Sequence, residues 1–260
     1  MSKTIVITGG TSGIGFGVAE IMRTEGHNIV IIDRSADEAI ENHFKADVTD
    51  EARMREVFNK IAEKHPQIDV LLNCAGYGLS GAVELVEASE VRRHFDVNVV
   101  GSVNAYKFAI PHMKKGAKVI NLASAAALNP LPFRGFYSAS KAAINTLSMS
   151  ERLECKSFGV EVVSLCPGDT KTNFNANRVS VLTTNERYGD SIARCVEHLN
   201  KKNDSRMPVG KVTKRIIKVI NKKKNKPLII IGTKERLFHF LCRFLPISAQ
   251  LWVLDKLYSK

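Results

Sequence analysis

Several large protein classes are argued against by what this 260-residue chain lacks. Its five cysteines (Cys74, Cys155, Cys166, Cys195, Cys242) are an odd set with no CxxC pair. That usage argues against a disulfide framework and for a reducing compartment. Seven scattered histidines include no HExxH or clustered pair, so no metal site is expected. No apolar run approaches the roughly 20 residues that a membrane-crossing helix needs. A basic n-region followed by an apolar h-region is missing ahead of TIVITGG, so no secretory signal is read and a cytoplasmic location is expected. Linkers rich in Pro, Gly or Ser are absent, as are repeats and low-complexity tracts. One domain over residues 1–260 is the consistent reading.

Acidic residues are scarce only at one end. The formal net charge is +12. Residues 198–260 hold 16 Lys and Arg against 3 Asp and Glu, which leaves 22 against 23 in residues 1–197. The basic character belongs to the tail.

Short β-branched runs alternate with longer amphipathic stretches. The runs are TIVIT (4–8), NIVIID (28–33), VLLNCAG (70–76), KVINLAS (118–124), VEVVSLCPG (160–168) and PLIIIG (227–232). Near-continuous apolar strands predict a parallel sheet buried on both faces by crossover helices. Helices are expected near 13–25, 51–64, 88–114, 137–157, 185–202 and 209–221. The fold class is α/β, a doubly wound parallel sheet in a single domain.

The first run leads into Gly9, Gly10, Thr11, Ser12, Gly13, Ile14 and Gly15, then into a helical stretch. Glycines between a first strand and a helix let backbone approach a pyrophosphate, whose charge sits on the helix N-terminus. The second strand ends at Asp33, where a carboxylate can accept hydrogen bonds from ribose hydroxyls and repel a 2′-phosphate. NAD is therefore the expected cofactor. NADP is the alternative, because Arg34 next door could grip that phosphate.

Tyr137 and Lys141 stand four apart, which on a helix puts their Cβ atoms about 5–6 Å apart on one face. An ammonium beside a phenol favours the phenolate and draws down a group that normally titrates near about 10. Ser124 ends the fourth run and would bring a hydroxyl to the same point. The trio suits proton exchange with an alcohol or carbonyl oxygen.

TGGTSGIG, Asp47-Val48, NCAG (73–76), Asn98 in FDVNVVG, Ser124, YSASK (137–141) and PGDTKT (167–172) stand in the order and approximate spacing of the short-chain dehydrogenase/reductases. The chain resembles that family over residues 3 to about 175. The resemblance implies a Rossmann-like domain of about seven strands, assembled into homodimers or homotetramers. It implies Tyr137 as acid/base, with Lys141 lowering its pKa and holding the nicotinamide ribose. Ser124 would bind the substrate oxygen, and Asn98 would anchor a water that relays protons to Lys141. Asp47 and Val48 would contact the adenine. Asn73, Ala75 and Gly76 would line the cofactor, with Pro167, Gly168, Thr170 and Thr172 at the nicotinamide end. Cys74 and Ala123 replace a common Asn and Ser of the pattern.

The loop between Ser124 and Tyr137 is mostly apolar (Ala125, Ala126, Ala127, Leu128, Leu131, Phe133, Phe136), which favours a hydrophobic alcohol or ketone. The texture of 133–175 is similar to the 17β-hydroxysteroid and retinol dehydrogenase branch, so a steroid, bile-acid-like, retinoid or other lipid substrate is expected. A small polar metabolite, or a non-catalytic cofactor-sensing scaffold, is the alternative. Residues 173–205 fall where the family has a substrate lid. Residues 233–260 read as a basic amphipathic extension. Packing on the sheet or on a partner subunit is its first expectation, and peripheral membrane contact its second. No nucleic-acid module is recognisable, so no nucleic-acid partner is expected.

Overall fold

In the computed structural model, residues 2–172, 174, 177–201 and 206–258 are described. Seven strands carry the fold: β1 (Thr4–Thr8), β2 (Asn28–Asp33), β3 (His43–Lys45), β4 (Ile68–Asn73), β5 (Met113–Leu122), β6 (Glu161–Pro167) and β7 (Leu228–Ile231). They form one sheet in the order β7-β6-β5-β4-β1-β2-β3, parallel throughout. The order reverses between β1 and β4. That reversal opens a crevice at the carboxyl ends of the strands, where ligands bind in such sheets.

The helices are α1 (Gly13–Thr24), α2 (Glu51–Lys64), α3 (Ala88–Phe95), α4 (Gly101–Ala109), α5 (Gly135–Glu154), α6 (Ser191–Lys201), α7 (Val209–Asn221), α8 (Thr233–Cys242) and α9 (Ile247–Tyr258). Alternate strand residues feed two cores. Val6, Val30, Leu71 and Val119 face Met54, Val57, Phe58 and Ile61 of α2 and Ala105 of α4. Ile5, Ile7, Ile31, Leu72 and Ile120 face Val18 and Met22 of α1 and Val212, Ile216 and Ile220 of α7. Both faces are buried, which is why the strands read as unbroken apolar runs. Burying one side chain such as Phe58 fully is worth about 1.5–3 kcal/mol.

Local boundaries depart from expectation in four places. The stretch 88–114 is not one helix: α3 gives way to a π-helical turn at Asp96–Val100, α4 follows, and β5 already begins at Met113. The helix expected at 185–202 starts at Ser191, after a turn. β3 is only three residues long and too brief for a periodic signal. The fourth departure is one of packing in the tail, where α8, α9 and the turn between them leave Phe240, Phe244, Ile247, Leu251 and Trp252 exposed instead of seated on the sheet. Asn173, Asn175, Ala176 and residues 202–205 of the stretch read as a lid lie outside the described residues.

Candidate active site

Backbone geometry makes the cofactor end. Gly9 (φ +69°) and Gly13 (φ +58°) occupy left-handed conformations that glycine adopts freely. A Cβ on Gly9 would lie 2.7 Å from the Ala75 nitrogen, and one on Gly15 would lie 2.4 Å from the Gly9 carbonyl oxygen. Ser12, at the N-cap of α1, makes no side-chain cap, and the first turn holds no acidic residue. The amide N–H groups there are left for an anion, which fits the pyrophosphate of a dinucleotide. Asp33 is held at the end of β2 by N–H donors from Thr11 (3.3 Å) and Ser35 (2.9 Å). Asp47 accepts from the Thr49 N–H (2.9 Å) and hydroxyl (2.8 Å). Asp33, Arg34, Asp47 and Val48 all line one cleft of about 1430 Å³, together with Thr11, Ser12, Ile14, Ala75 and Gly76.

The same cleft reaches Ser124, Tyr137, Lys141, Pro167, Gly168, Thr170 and Thr172. Ser124 caps a short helical turn by accepting from the Ala126 N–H (3.2 Å), and its hydroxyl is close enough to Tyr137 to favour the phenolate. Tyr137 and Lys141 sit in the first two turns of α5, both nearly buried. Lys141 Nζ donates to the Leu122 carbonyl at 2.8 Å. Burial holds its amine down at about 8, against partial compensation from Cys74 and Cys166. Thr170 donates to the Gly168 carbonyl (2.8 Å), and Thr172 accepts from the Phe174 N–H (3.2 Å).

Two expected residues lie behind the wall rather than in it. Asn73 is buried at the end of β4, where it donates to Asn121 Oδ1 at 2.8 Å and accepts from the Thr8 hydroxyl at 3.4 Å. It ties three strands together beneath the cleft floor. Asn98 is fully buried in the π-helical turn. Its Oδ1 accepts from the Tyr77 N–H, and its Nδ2 donates to the Tyr77 carbonyl, each at 3.0 Å. Gly76 must be glycine beside it, since a Cβ there would meet Asn98 Oδ1 at 2.8 Å and approach Lys141 Nζ at 3.6 Å.

The expected electrostatics of Tyr137 need correction. Burial raises its pKa and outweighs everything that lowers it. The cation that lowers it most is Arg134, whose guanidinium carbon stands 4.7 Å from the ring centroid; Arg178 adds to it after the Ser124 hydroxyl. Lys141 points to a carbonyl instead. Arg134 and Arg178 were not singled out in the sequence, although Arg134 is the lone charge in the otherwise apolar loop before α5. His94 was missed as well. It is fully buried between Tyr77 and Tyr137, with Nε2 3.1 Å from the Ser140 hydroxyl, and burial drives its pKa down to about 4. The tail also lines the cleft, adding Leu237, Phe238, Leu241 and Leu254 together with Lys234 and Glu235.

The family model described as short chain dehydrogenase matches residues 3–182. The chain belongs to the short-chain dehydrogenase family. The 3-ketodihydrosphingosine reductase of Bacteroides thetaiotaomicron is 35% identical to it over 227 residues, covering 85% of this chain and 84% of the relative. A probable short-chain type dehydrogenase/reductase of Helicobacter pylori is 32% identical, covering 94% and 93%. Among solved structures, a short-chain dehydrogenase from Streptomyces avermitilis superimposes with a TM-score of 0.84 at 23% identity, covering 99% and 98%. Another, from Burkholderia phymatum in complex with NAD, gives 0.77 at 24% identity, covering 94% and 95%. The short-chain dehydrogenase described here is thus an NAD(P)-dependent oxidoreductase of the alcohol dehydrogenase and ketone reductase type. Its glycine loop, uncapped α1 and the Asp33 carboxylate lining the cleft fit such a cofactor.

Proposed function

We propose that this dehydrogenase interconverts a secondary alcohol and a ketone on a hydrophobic, lipid-like substrate, with Tyr137 as the acid/base. The observation that carries the reading is that Tyr137 and Ser124 line the cleft that the glycine loop opens into, with the Ser124 hydroxyl close enough to favour the phenolate. A bound nicotinamide supplies or accepts the hydride. In the reducing direction, Tyr137 gives its proton to the carbonyl oxygen as the carbon gains the hydride, leaving an alcohol. Ser124 holds that oxygen, and its hydroxyl lowers the cost of the phenolate. Lys141 stands one turn along, where it would hold the ribose and exchange protons with a water that Asn98 would anchor. Positioned proton transfer of this kind contributes about 10²–10⁴-fold.

Asp33, fixed by two backbone donors, favours the ribose hydroxyls of NAD over a 2′-phosphate. The hydrophobic substrate is supported by the apolar tail residues Leu237, Phe238, Leu241 and Leu254, and by the lipid ketone in the name of the 35%-identical relative. Phe174, from the stretch read as a lid, stands 5.8 Å from Tyr137 ring to ring. Helices α8 and α9 and the turn between them expose Phe244 (74%), Ile247 (74%) and Trp252 (63%), and the same segment carries Lys234, Arg236, Arg243 and Lys256. That pairing supports peripheral contact with an anionic lipid surface. Co-sedimentation with phosphatidylserine vesicles that salt does not weaken, or no binding at all, retires the membrane contact. A second copy of the chain on that face would appear instead as a dimer in sedimentation velocity.

The activity is tested with Tyr137→Phe, following nicotinamide absorbance with long-chain ketones. Turnover is expected to fall about 10²–10⁴-fold, with NADH affinity held within about threefold. A variant as fast as the parent ends the assignment.

A further inference from the structure

Helix α8 and the turn after it carry an apolar stripe that the protein leaves uncovered. Leu237, Phe240, Leu241 and Phe244 follow at i, i+3, i+4 and i+7, the spacing of one helical face. That spacing ordinarily marks the side buried on a core. Here the four are 58, 55, 49 and 74% exposed, and the Phe240 and Phe244 rings meet edge to face at 5.3 Å. Leu237 and Leu241 also line the cleft, whereas Phe240 and Phe244 do not. One stripe thus runs from inside the cleft to the outer surface. Helix α9 repeats the arrangement: Leu254 is buried and lines the cleft, while Leu251 and Trp252 are exposed.

The charges follow the same division. Exposed Arg236 and Arg243 stand about one turn to either side of Phe240, and exposed Lys256 stands one turn beyond Trp252. Of the two acidic residues in 233–258, Glu235 packs inward against Gly168 and Gly232 and lines the cleft. Asp255 is left as the exposed acid against exposed Lys234, Arg236, Arg243 and Lys256. A second copy on this face would set cation against cation. An anionic lipid leaflet accepts both the stripe and the cations. No helix among the described residues is long and apolar enough to cross a membrane, so the contact is with one leaflet.

We infer that the stripe is the entrance for a bilayer-dissolved substrate: α8 and α9 rest on an anionic leaflet, and the alkyl chain of a long-chain ketone or alcohol passes along Leu237 and Leu241 into the cleft. Each methylene moved from lipid into water costs about fourfold in partition, and a chain that stays against leucine avoids that loss. The inference rests on the proposed alcohol–ketone activity for the identity of the substrate, and it turns a surface contact into a route to the site.

Trp252 is the chain's one tryptophan, so the full-length protein reports its own docking. Vesicles of phosphatidylcholine with phosphatidylserine are expected to shift its emission to the blue. Phosphatidylcholine alone is expected to bind about tenfold or more weakly, since each cation near the surface contributes about fivefold. Phe240→Glu is expected to weaken docking by about tenfold or more, and Phe240→Leu to keep it. Entry is read with a hexadecyl ketone that carries a diazirine and is dissolved in the same vesicles. Irradiation is expected to label Leu254, which is 4% exposed and lines the cleft. Label confined to Phe244, Ile247 and Trp252 overturns the entrance. The bilayer is overturned by equal response to the two lipids, by no shift, or by a shift that follows protein concentration without lipid, as a second copy would give. Neither readout uses turnover. If both are met but no ketone is reduced, the alcohol–ketone reading falls and the entrance stands. If a short ketone is reduced in water but Trp252 ignores vesicles, the entrance falls and the activity stands.

Discussion

Replacing Glu151 with glutamine should make the protein more stable, and only above a certain pH. Glu151 is buried on α5, where its Oε2 accepts from Asn121 Nδ2 at 2.8 Å. Burial raises its pKa from an ordinary 4.5 to about 7, and the Asn121 hydrogen bond opposes that only in part. The folded value lies above the unfolded one. Between pH 4.5 and about 7 the native chain keeps a proton that the unfolded chain has released. Stability therefore falls as pH rises through that window, and the loss is complete above it. At about 1.4 kcal/mol per pH unit, the cost approaches roughly 3 kcal/mol at pH 8. Glutamine keeps the shape and the acceptor for Asn121 without ionising. Urea unfolding at fixed pH values from 5 to 9 should give matching stabilities for the two proteins near pH 5, and an advantage for Glu151→Gln that grows to about 2–3 kcal/mol by pH 8. Taking the difference between the two proteins removes every other titrating group. A difference that stays flat across the series refutes the reasoning.

Gly15→Ala should abolish dinucleotide binding, since its Cβ would sit 2.4 Å from the Gly9 oxygen; an NADH fluorescence titration unchanged by the substitution contradicts the loop assignment. Asp33→Ser should shift preference toward NADPH by about tenfold or more through lost like-charge repulsion, read as the ratio of kcat/KM for the two cofactors. Arg34→Ala on that background should reverse the gain. His94→Ala leaves the Ser140 hydroxyl without one of its partners and opens a cavity, so thermal or urea unfolding should report a loss of about 1–3 kcal/mol. The folded imidazole stays neutral while the unfolded one gains a proton below 6.5, so the loss should shrink by about 0.5–1 kcal/mol between pH 8 and pH 6.

The sheet was legible because each central strand is apolar on both faces: Ile5, Val6 and Ile7 are all completely buried, and no other environment selects such a run. The glycine loop and the Tyr137–Lys141 pair were legible because their chemistry is local, fixed by spacing along one turn. What lay hidden depended on partners distant in sequence. The π-helical turn exists because Asn98 finds the Tyr77 backbone 21 residues away, and nothing in FDVNVV announces that bond. Arg134 looked like a lone charge in an apolar loop until Arg178 was brought against it from 44 positions on. The sequence also cast Lys141 as the cation tuning the phenol, because a helical spacing of four places Cβ atoms together. It cannot say where a long side chain ends, and this one ends on Leu122. For α8 and α9, amphipathic spacing revealed an apolar stripe but not that much of it faces outward.

Asn98 joins three separate stretches of chain at one amide. It grips both backbone groups of Tyr77 and donates at 3.2 Å to the Ser140 hydroxyl, which in turn donates to the Tyr137 carbonyl at 2.9 Å. The floor under the cofactor and the helix bearing the phenol are thereby knotted together before any ligand arrives. The reacting groups are preorganised during folding, and little of the binding energy has to be diverted into assembling them at each turnover.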